Sequence, residues 1–191
     1  MATSYGSLGC QHYKRKCKFE TPCCKKFYTC HFCHDEQETH TLDTTAIVKV
    51  VCLVCHRKQK VQNKCVKCRT VFGRYFCSIC NLFDDDASKG QFHCADCGMC
   101  RTGGFRNFFH CETCNMCLAL KYKGVHKCIE NRSRTDCPVC LEYIHTSTID
   151  LHFAECGHLV HQACFEELQK KRIYMCPICK APWKAPKKTK P

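Results

Sequence analysis

The sequence has few of the residues that build an ordinary hydrophobic core. Its 191 residues include one Trp and four Met, and 25 cysteines account for much of the 45% hydrophobic fraction. Without the cysteines, roughly 60 apolar residues remain, which is too few for one continuous core. This excludes a Rossmann fold, a TIM barrel or a helical bundle as the main architecture. We expect small domains with little regular secondary structure, each stabilised by local crosslinks.

Several motifs of secreted, membrane and enzyme proteins are also missing. The first 17 residues have no apolar region of a secretory signal, so we expect none. The most apolar stretch, Ala46 to Cys55, contains Lys49 and is too short to span a bilayer. There is no GxSxG, phosphate-binding loop or HExxH motif. Neither a membrane association nor one of these catalytic centres is therefore expected.

The cysteine spacing favours metal over disulfides. Cys-x-x-Cys occurs ten times, and an odd total of 25 cysteines would leave one thiol unpaired. Partners so close in sequence suit a tetrahedral zinc site better than disulfide geometry. We therefore expect zinc as the cofactor and a reducing compartment, with a disulfide scaffold as the alternative.

The first half of the chain carries two groups of candidate zinc ligands. The segment 10–40 holds enough for two ions, interleaved in an order the sequence leaves open: Cys10, His12, Cys23, Cys24, Cys30, Cys33, His34 and His40. Cys17 is left over and could replace a neighbour. The next group follows a β-branched run, Ile47 to Val51, that predicts a strand. Its four ligands have ribbon-like spacing: Cys52, Cys55, Cys65 and Cys68.

The third group contains an internal repeat. A His-Cys-x-x-Cys-x-x-Cys unit occurs twice, 17 residues apart, and Phe92 or Phe109 precedes each copy. Short repeats that are stacked and held by metal are the expected architecture, with a turn over 101–108. The twelve candidate ligands suffice for three ions: Cys77, Cys80, His93, Cys94, Cys97, Cys100, His110, Cys111, Cys114, Cys117, His126 and Cys128. Phe105, Phe108 and Phe109 near the turn either pack against a neighbouring repeat or anchor a partner.

The fourth group has the most specific spacing, and it completes the set. Its eight ligands suffice for two ions: Cys137, Cys140, Cys156, His158, His161, Cys164, Cys176 and Cys179. The whole chain then offers 24 Cys and eight His for about eight Zn²⁺. Because bound thiols are deprotonated, the formal charge of +13 falls to about +5 on metal binding. With no C2H2 spacing either, nucleic-acid binding is not the favoured function.

The fourth group resembles a RING-H2 finger, a small ββα domain. The resemblance implies a cross-brace, with one zinc on Cys137, Cys140, His161 and Cys164. The other would be held by Cys156, His158, Cys176 and Cys179.

The preceding segments also resemble known fingers. Cys10-Gln-His12-Tyr13 and Pro22-Cys23-Cys24 resemble the CHY-type finger, and Phe72 to Cys80 with the repeats resembles the CTCHY-type finger. Together these motifs resemble the CHY and RING finger ubiquitin ligases. The resemblance implies a flexible N-terminus (1–9), a CHY finger (10–70), a CTCHY finger (71–135), a RING-H2 finger (136–182) and a basic tail (183–191). Relatives usually continue into a C-terminal zinc ribbon, which this sequence does not contain.

The resemblance also implies an activity without a covalent intermediate. RING domains dock a ubiquitin-conjugating enzyme charged with ubiquitin on a shallow apolar groove. By position, the docking residues would be Val139, Leu168, Pro177 and Lys180, and residues 164–172 are predicted to form a helix with Phe165 in the core and Leu168 more exposed. The zinc array would bind a protein substrate, such as a transcription factor, for proteasomal degradation in cytoplasm and nucleus. A non-catalytic adaptor is the alternative.

Overall fold

The computed structural model describes residues 8–147 and 149–183, so most of the predicted flexible N-terminus and basic tail lies outside the described residues. The chain forms two compact units. One comprises the chain as far as His93 together with Met99–Phe105, and the other comprises Cys94–Gly98 and the chain from Arg106 onward. No helix in the described ranges is long and apolar enough to span a bilayer.

The first unit is built on a four-stranded antiparallel sheet. Its strands are β1 (Cys17–Glu20), β2 (Phe27–Tyr28), β3 (Lys49–Cys52) and β4 (Lys58–Lys60), in the order β2-β1-β3-β4. A short helix, α1 (His31–Asp35), follows β2. The inner face buries Phe19 and Val50, which join Phe72 and Phe83 in one apolar cluster. This cluster supports the loops that carry the first candidate ligands.

Short hairpins follow along the chain. Strands β5 (Tyr75–Cys77) and β6 (Leu82–Asp84) form one antiparallel pair, and β7 (Phe92–Cys94) and β8 (Met99–Arg101) form another. Asp84 is fully buried at the end of β6, where it accepts hydrogen bonds from the Lys14 amide, Lys89 Nζ and Gln91 Nε2. These bonds fix the β6 end to the segment that carries Cys10 and His12.

The second unit contains two hairpins and the longer helix. Strand β9 (Phe108–Cys111) pairs with β10 (Met116–Ala119), and β11 (Leu151–Phe153) pairs with β12 (Leu159–His161). Helix α2 (Gln162–Lys170) directly follows β12. Leu118, Ile144, Leu159, Val160 and Trp183 are buried in one apolar cluster. Small, mostly extended elements therefore surround Cys-rich loops, as the composition predicts.

The structure corrects the bounds of two predicted elements. The strand predicted over 47–51 runs from Lys49 to Cys52, because Asn81 Nδ2 donates to the carbonyl oxygens of Thr44 and Ile47 and holds that segment in a turn. The helix predicted over 164–172 is α2, which begins two residues earlier. It ends before Arg172, whose φ of 59° is left-handed, and the Ile173 amide closes the end on the Leu168 carbonyl.

Candidate metal centres and docking surface

Five of the Cys-x-x-Cys turns share one backbone geometry. The residue after the second cysteine has a positive φ, and its amide donates to the carbonyl of the first cysteine. This holds for His56, Arg69, Gly98, Leu141 and Lys180. Amides inside the turns also point at sulfur, as Cys80 N does toward Cys77 Sγ at 3.4 Å. Such donors stabilise thiolate, so the turns are prepared to bind a cation.

The folded chain gathers the candidate ligands into groups of four. In five groups, the ligand atoms all lie within 4.8 Å of one another: Cys10, His12, Cys30 and Cys33; Cys23, Cys24, His34 and His40; Cys52, Cys55, Cys65 and Cys68; Cys77, Cys80, His93 and Cys100; and Cys94, Cys97, His110 and Cys117. The first two groups resolve the order that the sequence leaves open over 10–40. Cys17 is in neither group.

A sixth group follows from individual contacts in the second unit. His126 Nε2 lies 3.3 Å from Cys111 Sγ, 3.5 Å from Cys114 Sγ and 3.2 Å from Cys128 Sγ. His126 Nδ1 is 2.8 Å from the Tyr122 carbonyl oxygen, which leaves Nε2 as the free ligand atom.

The last eight candidates form two groups with the crossed connectivity of a RING. His161 Nδ1 lies 3.2 Å from Cys140 Sγ, and the Cys164 thiol interacts with those of Cys137 and Cys140. His158 Nδ1 lies 3.6 Å from the sulfurs of both Cys156 and Cys176, and Cys179 also interacts with Cys156. Each group takes ligands from two separate stretches of chain, with the other group's ligands between them.

These groups fit zinc. Bonds of about 2.3 Å to sulfur and about 2.1 Å to nitrogen give tetrahedral edges of about 3.6–3.8 Å. Sulfur separations of 3.5 Å (Cys10–Cys30), 3.7 Å (Cys52–Cys68) and 3.6 Å (Cys97–Cys117) are close to that value. A set of thiols and imidazoles also suits zinc better than oxygen-preferring cations. The described part of the chain is therefore organised around zinc-binding clusters.

The repeat region has a staggered arrangement. Cys77 and Cys80 join His93 and Cys100, while Cys94 and Cys97, which directly follow His93, join His110 and Cys117. Each centre thus combines the first two cysteines of one repeat with the His and last Cys of the next. The 17-residue spacing already relates Cys77 to Cys94 and Cys111, so counting Cys77-x-x-Cys80 as the start of a first repeat could have predicted this partition.

Two further side chains support the centres of the first unit. Asp35 Oδ1 lies 2.8 Å from His34 Nδ1 and accepts from the Leu42 amide at 2.8 Å, which orients His34 Nε2 toward Cys23 Sγ at 3.3 Å. The Thr70 hydroxyl lies 3.1 Å from Cys68 Sγ, and this hydrogen bond lowers the pKa of the Cys68 thiol to about 6.

Arg15 is the least expected residue near these clusters. Its side chain is fully buried, and none of its guanidinium nitrogens has a hydrogen-bond partner among the residues that the structure describes. It lies instead over aromatic rings, 4.8 Å from the Tyr13 centroid and 5.0 Å from the Phe19 centroid. Burial of the guanidinium lowers the pKa of Arg15.

The leftover cysteine and histidines have separate environments. Cys17 is buried in the first apolar cluster, and burial raises the pKa of its thiol to about 12. His56 is exposed, whereas His145 is buried with Nδ1 2.8 Å from Ser133 Oγ. His152 stacks on Phe165 with ring centroids 3.5 Å apart. Protonated and enclosed, Cys17 is poorly suited to be a ligand or a nucleophile.

The predicted docking residues differ in exposure. Val139 is 38% exposed, Pro177 is half-buried, and Lys180 is exposed with Nζ donating to the Pro177 carbonyl at 3.1 Å. Leu168 and Phe165 are both half-buried against the second apolar cluster, so the predicted contrast between core and surface is wrong. Both side chains belong to helix α2 and pack on that cluster.

Exposed apolar residues that the sequence reasoning missed lie in the same turns. Ile178 is 52% exposed, Leu141 is 74% exposed and Met175 is 47% exposed. Ile178 holds the place in Cys176-Pro177-Ile178-Cys179 that Val139 holds in Cys137-Pro138-Val139-Cys140. The same positional reasoning that selected Val139 could have found it.

Comparisons with known proteins match two parts of the chain to zinc-finger families. The model of the CHY zinc finger matches residues 10–82, and that of the Ring finger domain matches residues 135–180. The rice E3 ubiquitin-protein ligase SRFP1 is 44% identical over 177 residues, which cover 92% of this chain and 68% of the relative. The chain belongs to the CHY and RING finger ubiquitin ligase family.

Other relatives of the chain are also longer proteins. E3 ubiquitin-protein ligase RZFP34 of Arabidopsis thaliana is 42% identical over 188 residues, covering 94% of this chain and 65% of the relative. Zinc finger protein BRUTUS of Arabidopsis thaliana is 41% identical over 174 residues, which are 14% of its length. The chain thus spans about two thirds of the two ligases and a small part of the third protein.

Proposed function

We propose that this chain is a RING-type E3 ubiquitin ligase. The observation that carries the proposal is the pair of crossed Cys/His groups over 137–179, with helix α2 and exposed apolar turns around them. Two relatives, at 44% and 42% identity, are named E3 ubiquitin-protein ligases. About eight zinc ions in the full set of candidate ligands would hold the fingers in shape.

The docking surface would receive a conjugating enzyme that carries ubiquitin. Val139 and Leu168 would supply apolar contact, Pro177 would support the second turn, and Lys180 would supply a cation. Ile178 extends the apolar area beside Pro177. Apolar turns beside a helix offer a small contact area, which suits a transient complex.

No bond in this mechanism is made to the ligase itself. The ligase holds the ubiquitin thioester close to a substrate lysine, whose amine attacks the carbonyl carbon and displaces the conjugating enzyme's thiol. Bringing the reactants together can contribute up to ~7–11 kcal/mol in well-oriented systems. The zinc array over 10–128 would bind the protein substrate, and we expect the protein in cytoplasm and nucleus.

The direct test is discharge of a ubiquitin thioester to free lysine, measured with zinc-loaded protein and a panel of conjugating enzymes. Wild-type chain should accelerate discharge for at least one enzyme, and Leu168→Asp should abolish the acceleration. Leu168→Met is the matched control, because it keeps an apolar side chain of similar volume. Since Leu168 is half-buried, zinc content and circular dichroism are measured for both variants.

One result would reject the proposal, and a second would change the docking surface. Uniformly absent discharge with fully metallated wild type would favour a non-catalytic adaptor. Wild-type discharge by a folded Leu168→Asp variant would remove α2 from the docking surface. Imaging of the tagged chain in cells tests the expected localisation.

A further inference from the structure

The outer face of the β2-β1-β3-β4 sheet is basic. Side chains along a strand point alternately to the two faces of the sheet. Phe19 and Val50 point to the inner face, so the residues next to them and the cross-strand partners of those residues share the outer face. They form two rows, the first of Phe27, Glu20, Lys49 and Lys60, and the second of Lys18, Val51 and Lys58. The face thus has four ammonium groups and one carboxylate.

The single carboxylate does not neutralise this face. Glu20 contacts Lys58 at 2.6 Å and Lys49 at 3.9 Å. Neither Lys18 nor Lys60 forms an ion pair with any residue in the described ranges. Lys49 and Lys60 are direct neighbours across β3 and β4, and like charges in that position destabilise a sheet. A negatively charged ligand would relieve this repulsion.

Protection of a sheet edge explains only part of this charge. Lysines on an edge strand prevent pairing with other chains, and β4 is an edge strand that carries Lys58 and Lys60. Lys18 and Lys49 are on the interior strands β1 and β3, where no edge needs protection. The charge therefore extends across the sheet.

The aromatic group on this face distinguishes between acidic ligands. Phe27 is 45% exposed, and Lys18 Nζ and Lys58 Nζ lie over its ring at 5.2 Å and 5.7 Å. Nucleic-acid-binding sheets leave ring faces open so that bases can stack on them. Here ammonium groups occupy the ring, which favours carboxylates next to the ring over bases on top of it.

The spacing of the lysines fits an extended peptide. Lys58 and Lys60 are two residues apart on one strand, so their Cα atoms are separated by roughly 6.6–6.8 Å. Acidic side chains two residues apart on an extended segment repeat at the same distance. The exposed Phe27 ring would contact the apolar parts of such a segment.

We propose that this sheet face binds an extended acidic segment of a protein, with Asp or Glu at alternate positions, and so provides a substrate contact of the ligase. The proposal rests on the proposed function only in calling that protein a substrate. Binding itself requires no ligase activity, which allows the two to be tested separately.

The test measures binding of a short fluorescein-labelled peptide, in which Asp alternates with Thr, to the zinc-loaded full chain by fluorescence anisotropy. The same peptide with Asn in place of Asp is the ligand control. Lys18→Glu/Lys60→Glu is the test variant, and Lys18→Gln/Lys60→Gln is a second variant with less risk to folding. Lys121→Glu/Lys123→Glu, which changes exposed lysines of the other unit by the same charge, is the matched control.

We expect the Asp peptide to bind and the Asn peptide not to bind. The Glu variant should weaken binding about tenfold or more, the Gln variant less, and the control variant less than twofold. Binding should also weaken as salt is raised. No binding by wild type, wild-type affinity in both test variants, or tighter competing binding of an oligothymidylate would overturn the proposal.

Ubiquitin discharge to free lysine separates the two proposals, because that reaction needs no substrate protein. Loss of peptide binding with normal discharge in the Glu variant supports both proposals. Normal discharge by a wild type that does not bind the peptide overturns the acidic-segment proposal alone. Peptide binding by a wild type that lacks discharge rejects the ligase and leaves the binding face supported.

Discussion

Arg15 and Tyr13 form a buried cation–π pair, with the guanidinium carbon 4.8 Å from the ring centroid. Tyr13 in turn follows the candidate ligand His12, and its amide donates to Cys10 Sγ at 3.4 Å. With zinc bound, three thiolates and one neutral imidazole would give the Cys10 centre a formal charge of −1. Arg15 would then be a buried cation that compensates a partly buried anionic centre, which explains why it has no carboxylate partner in the described ranges.

We therefore predict that Arg15→Met accelerates zinc loss from the Cys10 centre. Removing the positive charge should raise the chelator-induced release rate of one zinc equivalent by about tenfold, because the anionic centre loses its compensation. Arg15→Lys should lie between wild type and Arg15→Met, since it keeps the charge without the planar group. Release is followed with a colorimetric chelator. Equal rates in wild type and Arg15→Met would contradict this role.

Asp35 should raise the zinc affinity of the centre that contains His34. Asp35→Asn removes the carboxylate that orients His34, and loss of such a partner costs about 10–100-fold in metal affinity. Competition with a chelator of known affinity measures the change. Asp43→Asn is the matched control, because Asp43 is exposed and its side chain accepts from the Thr45 amide, a bond that Asn can also make. The control should retain wild-type affinity, and equal affinity in both variants would contradict the role of Asp35.

Cys17 and Cys52 are directly paired across β1 and β3, and Cys52 belongs to the four-cysteine group, whereas Cys17 is in none of the groups described above. Cys17→Ala should keep the full zinc content and lower the free energy of unfolding by about 1 kcal/mol through lost packing. Cys52→Ala should lose one zinc equivalent and be destabilised more strongly. Metal analysis and denaturant unfolding of the two variants test these expected differences in zinc content and stability. Loss of zinc from Cys17→Ala would return Cys17 to the ligand set.

Lys180 offers a test of the docking surface that leaves the core unchanged. Lys180→Gln should slow ubiquitin discharge several-fold, because the cation beside the last zinc turn is lost. Lys180→Arg should retain or exceed the wild-type rate, since guanidinium can contact two partners through its planar donors. An unchanged rate in the Gln variant would remove Lys180 from the docking residues.

Spacing made the ligand groups predictable, because Cys-x-x-Cys turns have one strongly preferred local geometry. The four-cysteine group around Cys52 and the crossed groups over 137–179 follow from sequence distance and family resemblance. The partition over 10–40 did not, because chain reversal between β1 and β2 brings Cys10 beside Cys30. Only the folded structure shows which of several candidate ligands close in sequence share one metal site.

The properties that depend on burial were harder to predict. A sequence shows Arg15 as one more surface cation, and nothing in its neighbours indicates complete enclosure by aromatic rings. Helical periodicity alone predicts different environments for Leu168 and Phe165, but both side chains pack on the same cluster. The C-terminal end of α2 comes earlier than predicted because Arg172 adopts a left-handed backbone. The predicted domain boundaries stay a prediction.

Because each centre takes ligands from two successive repeats, most cuts through the repeat region would separate the ligands of one centre. Excising seventeen consecutive residues from Phe92 onward would still leave Cys77 and Cys80 a histidine and a cysteine at the proper distance downstream. An excision that removes the ligands of only part of a repeat would leave thiols without a complete set of four ligands. Insertions and deletions that change the ligand set of this stretch should therefore be tolerated only in whole repeats, because each centre takes ligands from two successive repeats.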